Sequence, residues 1–531
     1  MQKGGACLKL RKFVPILLAL SLLSGCAAKS GGHTPTGNAL VMEDDSTIAA
    51  QPTEQTTADT VTMTYHPDLT MNPLACTDAA NRALFSLLYQ GLFSVDRTYR
   101  VEPLLCDRYT VSPDNTVYTF YVTQATFSDG SAVTAADVAA TLQAARESDY
   151  YGGRFSHVSD ISQNGDGVTV TLDTPYENLP LLLDVPILKA GQTDSTRPIG
   201  TGPYTLEESG TGGLLRRRSG WWCKAALPLD VPTVTLQTAG AASEVRDQFE
   251  FGGVDLVCAT PASDSYASFR CDYELWDCEN GMFLYLATNQ ESEVFSDATV
   301  RSALPFAIDR ETLAGSYYHG FAQAASLPAS PQSPYYSDAL AAKYTYDSAK
   351  FARAVTAAGK KGASVVLLVN KDDGLRVRVA RDIRQMLQNG GLTVELKALS
   401  TAQYKEALLY RTYDLYLGQT KLSPNMDLSP FFDNWGNLNY GDMDDAALYS
   451  ACLESLANSG NYYTLHQAVM DDGRLCPILF CNYAVYATRG LLNQLSPARD
   501  NLFYYSTGRS LAEALTVDMP EDSAVSTEPE N

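Results

Sequence analysis

Basic residues are scarce in this chain of 531 residues, which has 39 lysines and arginines against 61 aspartates and glutamates. The formal net charge at pH 7 is −22. Nucleic acids and anionic lipid surfaces attract proteins that carry excess positive charge. The charge balance therefore argues against a nucleic-acid partner. It favours an extracellular soluble domain that does not bind the membrane surface.

Histidine is also scarce, and the motifs of common catalytic and metal sites are missing. The five histidines, His33, His66, His157, His319 and His466, are scattered along the chain. No H-E-x-x-H, G-x-S-x-G or G-x-x-x-x-G-K-[ST] motif occurs in the sequence. We therefore expect no metal, no cofactor and no catalytic site.

Paired cysteine motifs are absent, although the chain has eleven cysteines. No C-x-x-C pair occurs, so the spacing favours neither a zinc site nor a redox motif. Cys271 and Cys278 flank the stretch DYELWD and could bridge a hairpin. The alternative, which we favour, is that most cysteines after Cys26 are buried thiols that behave as small apolar residues.

Apolar runs of membrane-spanning length, roughly 20 residues, do not occur after Cys26. What precedes Cys26 is a basic head followed by a short apolar run, Phe13 to Leu23, which is typical of a secretory signal. The ending Leu23-Ser24-Gly25-Cys26 resembles the bacterial lipobox. We therefore predict a signal peptide over 1–25 and a lipid on Cys26, which would hold the protein at the extracytoplasmic face of the cell membrane.

Two polar segments flank the body of the chain. Residues 26–60 contain little that could be buried, and this composition predicts a disordered tether. Residues 516–531 form an acidic tail. The length between them is too great for one simple core and predicts more than one lobe.

Hairpin and helix signals alternate in the first half. Asn115 to Val122 is aromatic and β-branched, and Asn164 to Leu172 has a turn followed by strict alternation. Between them, Thr134 and Asp137 form a capping box at the start of a helix.

The second half alternates between strand and helix patterns. Asp347 should cap a helix, and strands are predicted over 363–370, 392–399 and 413–420. A helix is predicted over 374–389, and Thr401 should cap another. This order predicts an α/β lobe with a parallel core, in which ligands sit beyond the carboxyl ends of the strands.

Six segments together resemble one family, the bacterial extracellular solute-binding proteins of family 5. These are the substrate-binding lipoproteins of peptide and nickel ABC importers. The segments, in chain order, are LLYQGLFSVD, VSPDNTVYTFYV, ATFSDGSAVTAADV, RPIGTGPYTL, GGVDLV and VRSALPFAIDRETL.

The resemblance implies an α/β fold, namely a two-lobed clamp like the periplasmic binding proteins of class II, with an extra subdomain in the first lobe. Lobe I would span 61–280 with an inserted subdomain at about 86–184. Lobe II would span 281–484, and a return segment, 485–515, would rejoin lobe I. The lobes would be connected near 277–289 and 481–489.

One stretch departs from the pattern of peptide-binding members, which carry an aspartate that pairs with the amino terminus of the peptide, in a stretch like W-x-x-D-Y-x-D-P. The corresponding stretch here is Gly418 to Phe432, where Thr420 replaces the tryptophan and Leu422 or Ser423 replaces the aspartate. Asp427 is a nearby acidic residue. This departure implies a ligand bound without the usual amine salt bridge.

Strand ends and aromatic residues supply the candidate contacts. Asn370 resembles the ligand-facing asparagine of peptide-binding members, and Lys421 could favour an anionic group. The candidate ligand-binding residues are Asn289, Asn370, Lys371, Gln419, Thr420, Lys421, Asp427, Trp435, Tyr440 and Tyr483.

The function implied is that of a monomeric substrate-binding lipoprotein that captures a short peptide or similar polar solute and delivers it to the permease of an ABC importer, without catalysis. Two alternatives stay open. One is a ligand-sensing receptor on the same clamp. The other is a secreted hydrolase using a carboxylate pair such as Asp442 and Asp444, although nothing marks that pair as an acid and a base.

Overall fold

A computed structural model describes residues 59–209, 212–259, 269–492 and 495–516. The predicted signal peptide, Cys26, the tether up to residue 58 and the tail from residue 517 lie outside the described residues. Within those ranges, no helix has both the length and the apolar composition needed to cross a membrane.

Strands and helices are mixed along the whole described chain. The strands are β1 (Thr60–Tyr65), β2 (Phe93–Val95), β3 (Val101–Pro103), β4 (Cys106–Val111), β5 (Val117–Val122), β6 (Val158–Asn164), β7 (Gly167–Leu172), β8 (Tyr204–Ser209), β9 (Gly212–Arg217), β10 (Thr233–Thr238), β11 (Leu256–Ala259), β12 (Tyr273–Thr288), β13 (Ala322–Ala324), β14 (Ser364–Asn370), β15 (Thr393–Leu399), β16 (Leu415–Lys421) and β17 (Leu475–Thr488). The helices are α1 (Ala79–Ala83), α2 (Phe85–Leu88), α3 (Ala135–Arg146), α4 (Ala242–Glu250), α5 (Ala298–Ala303), α6 (Arg310–Tyr318), α7 (Asp338–Ala341), α8 (Ser348–Ala357), α9 (Gly374–Asn389), α10 (Thr401–Leu409), α11 (Ser429–Phe432), α12 (Ala446–Ala457), α13 (Tyr462–Asp472) and α14 (Leu511–Ala514).

One large sheet runs through both lobes in the order β15-β14-β16-β12-β17-β11-β1-β10-β9-β8, and β13 pairs with β17 beside this path. The long antiparallel strands β12 and β17 join the two halves. Towards lobe II, β12 pairs with β16, and towards lobe I, β17 pairs with β11. These two strands include all but the last residue of each of the segments, 277–289 and 481–489, near which the sequence predicts the lobes to be connected. Their register shifts between Glu279 and Met282, around Gly281.

Lobe II has the parallel α/β core that the sequence predicts, because β14 pairs in parallel with both β15 and β16. Helices cover both faces of this sheet: Phe351 and Ile383 pack on one face, and Tyr404 and Leu408 pack on the other. Parallel strands need helices on both faces to bury their apolar side chains.

The cap of α10 differs from the prediction. Ser400 and Gln403 form its capping box, whereas Thr401 is the first helical residue. The hydroxyl of Thr401 donates instead to Asp372 Oδ2 at 2.8 Å, because it faces the turn after β14.

The inserted subdomain is a four-stranded sheet in the order β4-β5-β7-β6, packed against α3. The capping box predicted at Thr134 and Asp137 is confirmed: Asp137 Oδ2 accepts from the backbone N–H of Thr134 at 2.8 Å. The turn predicted before Val168 closes the β6–β7 hairpin. The bounds of the lobes themselves stay a prediction.

The cysteines that the structure describes are free thiols. Cys271 and Cys278 do not bridge a hairpin, because residues 273–288 form one continuous strand. The preference for buried thiols is confirmed for most of them, since Cys76, Cys106, Cys278, Cys452, Cys476 and Cys481 are buried.

Candidate ligand-binding cleft

A cavity opens where lobe I, lobe II and the inserted subdomain meet. It measures about 800 Å³, including the space at its open mouth. Ala79 of α1 lines it from lobe I, and Tyr150 lines it from the subdomain. The residues of lobe II that line it are Met282 of β12, Lys421 of β16 and Tyr483 of β17. Ligand-binding pockets occur preferentially at such junctions between domains.

An ion pair between Lys421 and Asp500 lies in this cavity. Lys421 Nζ donates to Asp500 Oδ1 and, at 2.7 Å, to the hydroxyl of Tyr150. Tyr150 in turn donates to Asp500 Oδ1 at 2.7 Å, and Arg154 Nη2 lies 3.3 Å from Asp500 Oδ2. The group therefore ties the end of β16 to the subdomain and to the return segment.

The surroundings shift the pKa values of both ionised partners. Burial alone would raise the pKa of Asp500, but the positive charges of Lys421, Arg82, Arg154 and Arg499 hold it well below its usual range. Burial lowers the pKa of Lys421 to about 8, against the raising effect of Asp500. Asp500 is therefore an ionised carboxylate that the protein's own cations already compensate.

Arg499 joins the same three parts of the chain. Its Nη1 donates to the hydroxyl of Tyr99 at 3.1 Å, and its Nη2 donates to the carbonyl of Leu422 at 3.1 Å. The hydroxyl of Tyr99 donates to Glu279 Oε2 at 2.8 Å. Glu279 is almost fully buried and lies at the register shift of β12.

A second contact between the subdomain and lobe II centres on His157. Its Nε2 lies 3.3 Å from Asp427 Oδ2 and 3.0 Å from Ser429 Oγ, and its Nδ1 lies 3.6 Å from Asp173 Oδ1. Burial lowers the pKa of His157, but Asp427 and Asp173 outweigh this and leave it above the usual value of 6.5.

Two of the predicted contact residues, Lys421 and Tyr483, line the cavity. Gln419 and Thr420 precede Lys421 on β16, where both are half-buried. A role for these four in binding stays a prediction.

Asn370 and Lys371 lie at the carboxyl end of β14, as expected, but outside the residues that line the cavity. The amide of Asn370 donates to Thr401 Oγ1 at 3.0 Å, and its Oδ1 accepts from the backbone N–H of Asp372 at 3.0 Å. These bonds hold the turn together, and the side chain of Lys371 is exposed.

The other four candidates also lie outside that lining. Asn289 lies beyond the far end of β12, where its amide donates to the carbonyl of Tyr413 at 2.8 Å. Trp435 is 87% exposed, and Tyr440 packs beside the ring of Tyr416. Asp427 contacts His157. For all four residues, a contact with the ligand stays a prediction.

Sequence reasoning missed four polar residues that line the cavity, namely the charged Arg82, Arg499 and Asp500 and the neutral Tyr150. They come from three segments that are far apart in the chain, and no motif connects them. The one available signal was the adjacent pair Arg499-Asp500 in the return segment, where two opposite charges precede an apolar run.

No group of histidine, cysteine, aspartate or glutamate side chains in the described ranges is arranged to hold a metal ion. His466, for example, is fully buried, and neither of its ring nitrogens has a hydrogen-bond partner among the described residues.

Comparison with known proteins gives one consistent result. The family model described as bacterial extracellular solute-binding proteins, family 5, matches residues 100–442. The glutathione-binding protein GsiB of Salmonella paratyphi A is 28% identical over 357 residues, which cover 63% of this chain and 68% of the relative. The protein of the same name from Salmonella typhi is 27% identical over the same length and coverage.

Solved structures share the fold at lower identity. The oligopeptide-binding protein AppA of Bacillus subtilis, in complex with a nonapeptide, is 21% identical with a TM-score of 0.61 and covers 84% of this chain and 98% of its own. NikA of Brucella suis, in complex with Fe(III)-EDTA, is 19% identical with a TM-score of 0.68 and covers 84% and 99%. The fold is therefore the two-lobed clamp of these binding proteins.

Proposed function

This chain belongs to the bacterial extracellular solute-binding proteins of family 5, and we propose that it captures a short peptide or similar polar solute between its lobes for delivery to an ABC permease. The observation that carries the proposal is the cavity at the junction of lobe I, lobe II and the subdomain. A ligand held there would touch all three parts and stabilise their closed arrangement.

The names of the relatives support a peptide-like ligand. The curated relatives are glutathione-binding proteins, glutathione being a tripeptide, and one solved structure holds a nonapeptide. Asp500 is already compensated by Lys421 and Arg154, so it is not free to receive a ligand's ammonium group. Affinity should then change little when the amino terminus of a bound peptide is acetylated.

The proposal includes a lipid on Cys26 as the membrane anchor. Its support is the lipobox-like sequence Leu23 to Cys26, followed by the polar stretch up to residue 58. Tethering in two dimensions would raise the effective concentration of the protein near its permease. Expression of the precursor and of its Cys26→Ser variant in a bacterium tests this: the precursor should fractionate with membranes and the variant should not, and identical fractionation as secreted protein would contradict the anchor.

The hydrolase alternative has less support in the structure. Asp442 forms an ion pair with Arg411 at 3.1 Å, and Asp444 Oδ1 lies 3.4 Å from the amide of Asn439. Neither aspartate lines the cavity. A receptor that signals occupancy to a partner protein would use the same cavity and differs only in what it contacts when closed.

Thermal unfolding with a library of peptides and other polar solutes tests the binding function. A ligand at about one hundred times its Kd should stabilise the protein by about 2.7 kcal/mol and should be recovered chemically unchanged. Consumption of the ligand would favour the hydrolase. The absence of any stabilising peptide would contradict the proposed ligand class.

A further inference from the structure

Arg499 is a buried cation at the wall of the cavity. Its exposed fraction is 4%, and it contacts Tyr99 of the subdomain and Leu422 of lobe II from the return segment. A guanidinium group in such a position has lost most of its hydration, so its remaining N–H donors and its charge need partners inside the protein.

The partners that the structure supplies are incomplete. Nε of Arg499 is buried and has no hydrogen-bond acceptor among the described residues. Arg499 also forms no direct ion pair with a carboxylate in the described ranges, and Glu279 reaches it only through the hydroxyl of Tyr99. Leaving a buried donor without an acceptor is destabilising, so such groups are uncommon unless something else binds them.

The backbone around Arg499 is also unusual. Arg499 has a φ of +36°, in the left-handed region that side chains other than glycine seldom adopt. Gly281 faces it across the lobe connection, and a Cβ atom on Gly281 would lie 2.7 Å from Arg499 Nη2. Conformations of this kind persist where the surrounding structure holds them and often mark functional positions.

The described residues that line the cavity carry an excess of positive charge. Arg82, Lys421 and Arg499 are cations, and Asp500 is the one carboxylate among them. This local excess stands against the net charge of −22 of the whole chain. Asp500 forms its direct ion pairs with Lys421 and Arg154, so Arg499 acts on it only at longer range and has no carboxylate in direct contact among the described residues.

We propose that the cavity takes its ligand through a carboxylate group, which accepts the hydrogen bond that Nε of Arg499 now lacks and pairs with its guanidinium group. This inference rests on the proposed function and adds the chemical class of the ligand. The substrates are then anionic or zwitterionic peptides and similar acids, and Lys421 stays paired with Asp500 while they bind. Arginine suits this role because its planar donors match a carboxylate.

Calorimetry with matched pairs of probes tests the assignment on the unaltered protein. The pairs are trialanine with trialanine amide, and glutathione with its diethyl ester. Each free acid should bind, and the form without a carboxylate should bind roughly 30-fold or more weakly, which is the usual effect of losing one member of a buried charge pair. N-acetyl-trialanine should bind nearly as well as trialanine.

The variant Arg499→Gln assigns the effect to this residue, and Arg353→Gln serves as the control because its side chain is 69% exposed in α8. In Arg499→Gln, the free acid and its neutral partner should bind with Kd values within about threefold of each other, whereas the control should keep the full difference. A merely structural role for Arg499 would weaken both members of a pair equally and leave their ratio unchanged.

The outcomes separate the two proposals. If a free acid and its neutral form bind the unaltered protein equally, the carboxylate assignment is wrong while the binding function stands. A full acid preference that persists in Arg499→Gln overturns the role of Arg499. If none of the probes binds, the proposed peptide-binding function fails and this inference fails with it. Should Arg499→Gln not fold, the probe pairs on the unaltered protein still decide whether a carboxylate is recognised.

Discussion

Asp500 is the residue on which the arrangement of the cleft depends most. Its carboxylate receives hydrogen bonds or ion pairs from Lys421, Arg154 and Tyr150, which belong to lobe II and the subdomain. The side chain is 17% exposed, so the solvent screens these interactions only partly. Removal of its charge leaves several buried cations without compensation.

The substitution Asp500→Asn should therefore lower the free energy of unfolding by about 3 kcal/mol, since breaking a buried ion pair leaves the partner charges uncompensated. Urea unfolding monitored by circular dichroism measures this. The control is Asp230→Asn, because the carboxylate of Asp230 pairs with Arg217 but is 78% exposed. Surface pairs of this kind contribute little. Equal effects of the two substitutions would contradict the central place of Asp500.

The raised pKa of His157 predicts that the free energy of unfolding depends on pH. Its pKa in the folded protein is raised above 6.5 by Asp427 and Asp173, so the protonated form is stabilised by folding. This contribution is fully present below the unfolded pKa and is lost as the pH rises through the folded pKa. The difference in unfolding free energy between the unaltered protein and His157→Gln should therefore be largest below pH 6.5 and should shrink as the pH rises above that value.

Ser429→Ala is the control for this measurement, because it removes a neutral hydroxyl shared by His157 and Asp427 and leaves both carboxylates beside the ring. Its pH dependence should follow that of the unaltered protein. A constant difference between the unaltered protein and His157→Gln over the whole pH range would show that Asp427 does not stabilise the imidazolium.

Single residues were the hardest level to predict from the sequence. Lys421 was found because it directly follows a predicted strand, and the approximate ends of strands can be predicted from local patterns. Asp500, Arg82 and Tyr150 were not, because each is an ordinary residue in its own segment and gains its role from contacts with residues far along the chain. Likewise, Asn370 matched a family pattern, yet its amide donates a hydrogen bond to Thr401 and stabilises the turn after β14.

Elements, in contrast, were largely set by local physical rules. The helix predicted over 374–389 is α9 with the same bounds, because Asp373 caps it and its apolar residues recur at helical spacing. The strand predicted over 413–420 is displaced by one or two residues. Its end depends on pairing with β12, which extends it to Lys421. Local periodicity does not contain that information.

The connection between the lobes gives a prediction at this scale. Gly281 has a φ of +78° at the register shift of β12, and a side chain there would meet the guanidinium of Arg499. Gly191 has a φ of +79°, but nothing lies within 4 Å of where its Cβ would be. Both Gly→Ala substitutions carry the strain of a positive φ, about 1 kcal/mol or more.

Gly281→Ala should therefore destabilise the protein by more than Gly191→Ala, by about 1 kcal/mol or more because of the added crowding. Chemical unfolding of the two variants under the same conditions gives the difference. Equal losses would mean that the guanidinium moves away freely and that Arg499 is not held in place.

At the scale of the whole molecule, two long strands connect the lobes, and the subdomain touches lobe II through polar groups and through apolar side chains such as Leu181. Besides the groups around Asp500 and His157, Glu177 Oε1 accepts from the backbone N–H of Ser459 at 2.8 Å. Contacts of this kind can be broken by a small rotation about β12 and β17. The family and the clamp were predictable from six segments in register, whereas the ligand is decided by side chains that only the folded arrangement brings together.

Small-angle X-ray scattering of the protein, alone and saturated with a peptide that binds by calorimetry, tests most directly the claim that a ligand is enclosed between the lobes. We expect the radius of gyration to fall on saturation, because the ligand bridges the lobes and favours the closed arrangement. The Arg353→Gln variant should close in the same way. A radius of gyration that stays unchanged at full saturation would contradict the account.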